Sequence, residues 1–155
     1  MNTDAETVVR AAYRAAEGSV LDIQGFTNLF AEDGVFNNVV GGESYRGEHL
    51  GDLVAFMGAL APDVHRELHR FHVTGNVVAV ELTIQGTFTG PFETPLGTIR
   101  PTGAALNIPT ADFWYVENGR IKEFNCYVGL SVMLAQLGVQ PDFASAVTAS
   151  ATVPG

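Results

Sequence analysis

The order of patterns along the chain predicts an α+β fold, a cone-shaped, curved antiparallel sheet with N-terminal helices enclosing an apolar pocket. Three observations carry this. Ala5, Val8, Val9, Ala12, Tyr13 and Ala16 recur near helical spacing. In 77–88, Val78, Val80, Leu82 and Ile84 alternate with Ala79, Glu81, Thr83 and Gln85, the period of a half-buried strand. Asn118-Gly119 lies between two apolar and aromatic runs, as in a hairpin. Helices followed by an antiparallel meander pack on one face of a curved sheet, and a cone of this size holds a cavity.

The elements follow in order. Thr3 is placed to cap a first helix that runs to about Gly18. A second helix covers roughly 21–30, turns Phe26, Leu29 and Phe30 inward, and ends at Ala31-Glu32-Asp33-Gly34. VFNNVV (35–40) is a short strand, GGESYRG (41–47) a loop, and 48–60 a helix that stops before Pro62. Strands are expected over 64–73 and 77–88. Residues 89–103, with three prolines and three glycines, form a crossover loop able to cover a cavity mouth. A hairpin occupies 104–116 and 120–130, and 131–138 make a last short helix. One domain is expected over 1–140, with 141–155 a small, polar, frayed tail.

Composition narrows the partners. The 155 residues suffice for one core, and 46% hydrophobic against 16% charged residues implies an unusually apolar interior or pocket. Seventeen acidic and eight basic side chains give a net charge of −9, which argues against nucleic acid and anionic membranes. No apolar run approaches the roughly 18 residues that a membrane span needs. Neither a basic n-region nor an apolar h-region opens the chain, so a cytoplasmic protein is expected. Cys126 is the only cysteine, which leaves no intramolecular disulfide and no thiolate cluster.

Asp112 interrupts the apolar run ADFWYV, and an unpaired buried charge is costly. Its neighbours depend on the turn. A two-residue type I′ turn at Asn118-Gly119 pairs Asp112 with Asn125. A three-residue loop, 117–119, sets it opposite Phe124, with Cys126 and Val128 on the same face. The second is preferred, because it gathers Asp112, Trp114, Val116, Phe124, Cys126 and Val128 on one apolar face. Such surroundings raise a carboxyl pKa and leave a neutral acid able to donate a hydrogen bond. The competing reading is a surface aspartate on a solvent-facing strand side.

LFAEDGVFNN (29–38) with SYRG (44–47), the Asp-aromatic-turn-GRI segment (112–121) and YVGLSVMLAQLG (127–138) together resemble the nuclear transport factor 2-like superfamily. The last segment looks most like its SnoaL-like polyketide cyclase branch; ketosteroid isomerases and limonene-epoxide hydrolases share the superfamily. The resemblance implies that Asp112 matches the isomerases' oxyanion-hole acid and the hydrolases' acid. It sets Asn38 where isomerases carry a proton-shuttling Asp and hydrolases a water-holding Asn, and Tyr13 near the isomerase tyrosine. The departures are Gly129 in place of an Asp of the cyclases, Thr110 in place of the hydrolases' Arg, and Cys126 near their second Asp. An Asn at 38 cannot take a proton, so no family mechanism is intact.

The remaining candidates have plain alternatives. His65, His69 and His72 would share one helical face, but on a strand His72 opposes the other two, so no metal is expected. His69, on the face of Phe71 and Val73, is the candidate for the missing base. Asn38 can equally bond backbone at a strand end, and Tyr13 can be pocket wall. Trp114, Phe124, Cys126, Val128 and Phe56 are expected to shape the substrate cavity. Glu81, Thr83 and Gln85 face solvent or a subunit interface. The expectation is a cofactor-free isomerase, cyclase or lyase acting on a small hydrophobic carbonyl compound such as a polyketide, steroid or terpenoid. The protein is expected to be a homodimer or higher homo-oligomer. An epoxide hydrolase and a non-catalytic binding protein of the same fold are the alternatives.

Overall fold

A computed structural model describes residues 4–139 and 142–154. The predicted apolar stripe makes helix α1 (Ala5–Ala16), and all six of its apolar positions are buried. Asp4 caps it, its carboxylate accepting from the Glu6 amide at 3.1 Å; Thr3 lies outside the described residues. Helix α2 (Ile23–Asn28) is capped by Asp22 and buries Phe26. It ends earlier than expected, because strand β1 (Phe30–Asn38) takes over at Phe30. Ala31-Glu32-Asp33-Gly34 is therefore a bulge inside a strand, where the register on its neighbour slips between Phe30 and Val35. Lys122 pairs with Asp33 across it.

The expected loop at 41–47 contains a short strand, β2 (Glu43–Arg46), antiparallel to β1. A 3-10 turn leads into α3 (Asp52–Leu60), which buries Val54, Met57 and Leu60. Strands β3 (His65–Thr74) and β4 (Val77–Thr87) form the next hairpin. Within 89–103, β5 (Phe92–Thr94) and β6 (Gly97–Ile99) add a small separate ribbon to what reads as loop. Strands β7 (Ala105–Glu117) and β8 (Arg120–Val128) follow, then α4 (Leu130–Gln136). The tail, expected to fray, carries helix α5 (Phe143–Ser150), none of it buried.

The main sheet runs β2-β1-β8-β7-β4-β3. All its pairings are antiparallel except β1 with β8, which is parallel because the intervening elements carry the chain from one end of the fold to the other. The sheet is curved and unclosed, with α1–α4 against its concave face, as the α+β reading requires. Val78, Val80, Leu82 and Ile84 are buried on that face, as the alternation predicts. Arg10 lies over the Phe71 ring at 3.9 Å, joining α1 to the sheet edge. No helix among the described residues is long and apolar enough to cross a membrane.

Candidate active site

The β7–β8 hairpin decides where Asp112 points, and it does so by combining a tight turn with a bulge. Asn118 and Gly119 both have positive φ, 52° and 75°, and Glu117 pairs with Arg120, so the turn is the two-residue type I′ form. That turn alone would set Asp112 opposite Asn125. Lys122 is left unpaired between Val116↔Ile121 and Tyr115↔Glu123, and this extra residue brings Asp112 opposite Cys126. Both anticipated pairings are thus corrected, the preferred Phe124 included. The apolar face itself is present: Asp112, Trp114, Val116 and Phe124 are buried, with Cys126 and Val128 half-buried beside them.

Asp112 is 3% exposed on the wall of a cavity of about 550 Å³, enclosed by the concave sheet face and α1–α4. Tyr13 donates to Asp112 Oδ2 at 2.6 Å, and Trp114 Nε1 donates to the Tyr13 hydroxyl at 3.0 Å. Trp114 is held in turn by stacking on Phe124, centroids 3.5 Å apart, and Phe124 packs on Phe36 at 4.4 Å. One chain of bonds thus fixes Oδ2. Asp112 Oδ1 is buried and has no hydrogen-bond partner among the described residues.

The electrostatics follow from the burial. Desolvation pushes the Asp112 carboxyl up to about 6, against smaller opposing effects from the Tyr13 hydroxyl, the Cys126 thiol and the Arg66 charge. Burial and the neighbouring carboxylate push both Tyr13 and Cys126 well above their ordinary values. Tyr13 therefore stays a donor to Oδ2, and the proton that Asp112 gains or loses belongs on Oδ1. A protonated Cys126 is pocket lining rather than a nucleophile.

Of the other predicted site residues, Asn38, Phe56, Trp114, Phe124, Cys126 and Val128 all line the same cavity as Asp112 and Tyr13. Asn38 sits with Gly41, Glu43, Tyr45 and Asp52 along the wall, its amide donating to Glu43 at 3.3 Å. Phe56 meets Phe92 of the β5–β6 ribbon edge-on at 5.7 Å, so the crossover does contribute to the wall.

His69 is not brought to the site. It is the unpaired residue of a bulge between Leu68 and Arg70, and its ring bonds Thr83 on the exposed side of the sheet at 2.6 Å. The other two histidines of the trio are also exposed, His65 with Glu17 and Glu67, His72 beside Glu81. The same bulge brings in a residue that sequence reasoning missed. Before it, Val64, Arg66 and Leu68 face inward; after it, Phe71 does. Reading the alternation backwards from Phe71 turns Arg66 to solvent, whereas it lines the cavity. The signal was Val64 and Leu68 at even spacing around it. Arg66 donates to the Ala16 carbonyl at the end of α1 at 3.0 Å, and burial lowers its pKa from the ordinary value.

Comparison with known proteins agrees with this architecture. IdmH of Streptomyces antibioticus, a candidate polyketide cyclase, is 26% identical with a TM-score of 0.68, over 88% of this chain and 100% of that one. A candidate SnoaL-like polyketide cyclase from Jannaschia sp. CCS1 is 17% identical with a TM-score of 0.76, over 90% and 95% of the two chains. An LEH-like epoxide hydrolase of M. tuberculosis is 20% identical with a TM-score of 0.64, over 96% and 98%. Among curated proteins no sequence matches. The SnoaL-like domain family matches residues 9–124, which include α1 from Val9 onward, most of the curved sheet and Asp112, and the chain belongs to that family.

Proposed function

We propose that this protein carries out cofactor-free acid–base chemistry on a small hydrophobic carbonyl compound, in an isomerisation, an aldol-type cyclisation or a dehydration. The observation that carries the reading is Asp112: a residue of the apolar cavity's lining with one oxygen tied to Tyr13, the other buried beside the Cys126 thiol, and a pKa raised to about 6. A proton-transfer group works best when its pKa lies near the working pH. With a pKa of about 6 an ionised fraction is available at neutral pH, and in this proposal that form of Asp112 acts as the base.

In this scheme Oδ1 takes a proton from the carbon next to the substrate carbonyl, and the C–H electron pair moves into an enolate. The proton on Oδ1 then goes to another carbon in an isomerisation. In an aldol-type cyclisation the enolate carbon bonds to a second carbonyl carbon, whose C=O pair becomes an alkoxide that takes the proton. In a dehydration the enolate expels the β-hydroxyl, which leaves as water with that proton. Tyr13 and Trp114 hold the carboxyl in place while its charge changes, and burial keeps competing water away. Asp112 thereby supplies the base that the sequence did not identify, and His69 has no part.

A second reading is hydrolysis of an epoxide, favoured by the likeness to the LEH-like hydrolase, with a protonated Asp112 as the acid. Asp112→Asn assayed on a panel of enones, 1,3-dicarbonyls and epoxides tests both. Loss of turnover of about 100-fold or more on a carbonyl substrate supports the proposal. Undiminished turnover removes Asp112 from the mechanism, and activity confined to epoxides favours the second reading.

A further inference from the structure

Arg66 is the one cationic side chain among the described residues that line the cavity, in a chain of net charge −9. A guanidinium has five N–H donors. Arg66 commits one to the Ala16 carbonyl, and it takes part in no ion pair among the described residues. Capping the end of α1 accounts for that one bond and leaves the rest of the fork unexplained. A partly desolvated arginine without a carboxylate partner is costly unless something else supplies acceptors.

Its neighbours do not satisfy it. Asp112 is close enough for the two charges to affect each other, yet no ion pair joins them. Arg66 pairs across the sheet with Ile84 of β4, and Asp112 with Val80 of the same strand, so their partners lie four positions apart on β4. Both line the same largely apolar cavity, so a ligand there meets a carboxyl and a guanidinium.

We propose that Arg66 is the anion-binding group of the cavity, and that it selects an apolar ligand bearing a delocalised oxygen anion, either a carboxylate or the enolate of a 1,3-dicarbonyl. The planar fork of arginine matches two such oxygens. The assignment rests on the acid–base reading above and adds to it: with a 1,3-dicarbonyl the enolate forms when Asp112 takes the proton from the carbon between the carbonyls, and Arg66 holds the oxygens on which that charge accumulates. The apolar walls take the hydrocarbon body, and Arg66 fixes which end points inward.

The test uses a matched pair of probes, 2-naphthoate and its neutral isostere 2-naphthamide, titrated calorimetrically at pH 7.5. Wild type is expected to bind the carboxylate about tenfold more tightly than the amide, the size of a charge-assisted hydrogen bond. Arg66→Gln should bring the ratio to about one with amide affinity unchanged. An unaltered ratio in Arg66→Gln, or a wild type that fails to prefer the carboxylate, overturns the proposal. Should Arg66→Gln not fold, the wild-type Arg66 Nε resonance gives the answer: naphthoate shifts it and naphthamide does not, and equal or absent shifts overturn the assignment. Neither readout involves turnover. A failure of the acid–base reading, seen as undiminished activity in Asp112→Asn, is therefore distinguishable from a failure at Arg66.

Discussion

Replacing Asp112 with Asn should change how stability depends on pH. In the folded protein the carboxyl titrates at about 6, against an ordinary value of 3.8. The folded state therefore holds the proton more tightly than the unfolded state does. The stability this contributes is fully present below about pH 4 and is lost as pH rises through about 6. A shift of roughly two units at about 1.4 kcal/mol each comes to about 3 kcal/mol. An Asn at 112 does not titrate, so the variant escapes this loss. Its amide nitrogen in the place of Oδ1 would lack an acceptor, at a cost of about 1–3 kcal/mol, but that cost is the same at every pH.

The informative quantity is the difference between the two proteins, followed from pH 4 to 7.5 in paired thermal melts. It should move by about 3 kcal/mol in favour of Asp112→Asn, or about 6–12 °C in relative Tm for a chain of this size. Every other titrating group is common to both and cancels. Parallel curves would refute the reasoning, because they would mean that the carboxyl titrates alike in the folded and unfolded states.

Tyr13→Phe removes the 2.6 Å bond that favours the ionised form of Asp112, so the carboxyl should titrate still higher, with about 1–3 kcal/mol of stability lost; NMR titration and denaturant melts check both. His69→Ala should leave stability within about 0.5 kcal/mol and any carbonyl turnover unaltered, since the ring sits outside the sheet on Thr83. Gly129→Asp should cost about 1–3 kcal/mol in a urea melt. A Cβ there would lie 2.5 Å from the Pro109 carbonyl oxygen, so the backbone would have to move.

What could be read from the sequence and what could not divide along physical lines. Periodicity is local, so α1, β4 and the inward face of the hairpin were legible from apolar spacing alone. Bulges are not local. The extra residues at Lys122 and His69 leave composition and alternation almost unmarked, yet each changes which side chains face the cavity. One moved the partner of Asp112 from Asn125 to Cys126; the other exchanged His69 for Arg66. The strand hidden in 41–47 and the early start of β1 were missed because their residues, rich in Gly, Glu and Asp, carry turn chemistry and become strands only through pairing. The Tyr13–Asp112 bond joins residues 99 positions apart, and no local pattern could announce it.

The central claim is that Asp112 is an acid–base group poised near neutrality by burial. A carbon-13 NMR titration of its side-chain carboxyl tests that most directly. The structure predicts a midpoint of about 6. A midpoint near 4, the value of a solvated aspartate, would contradict it.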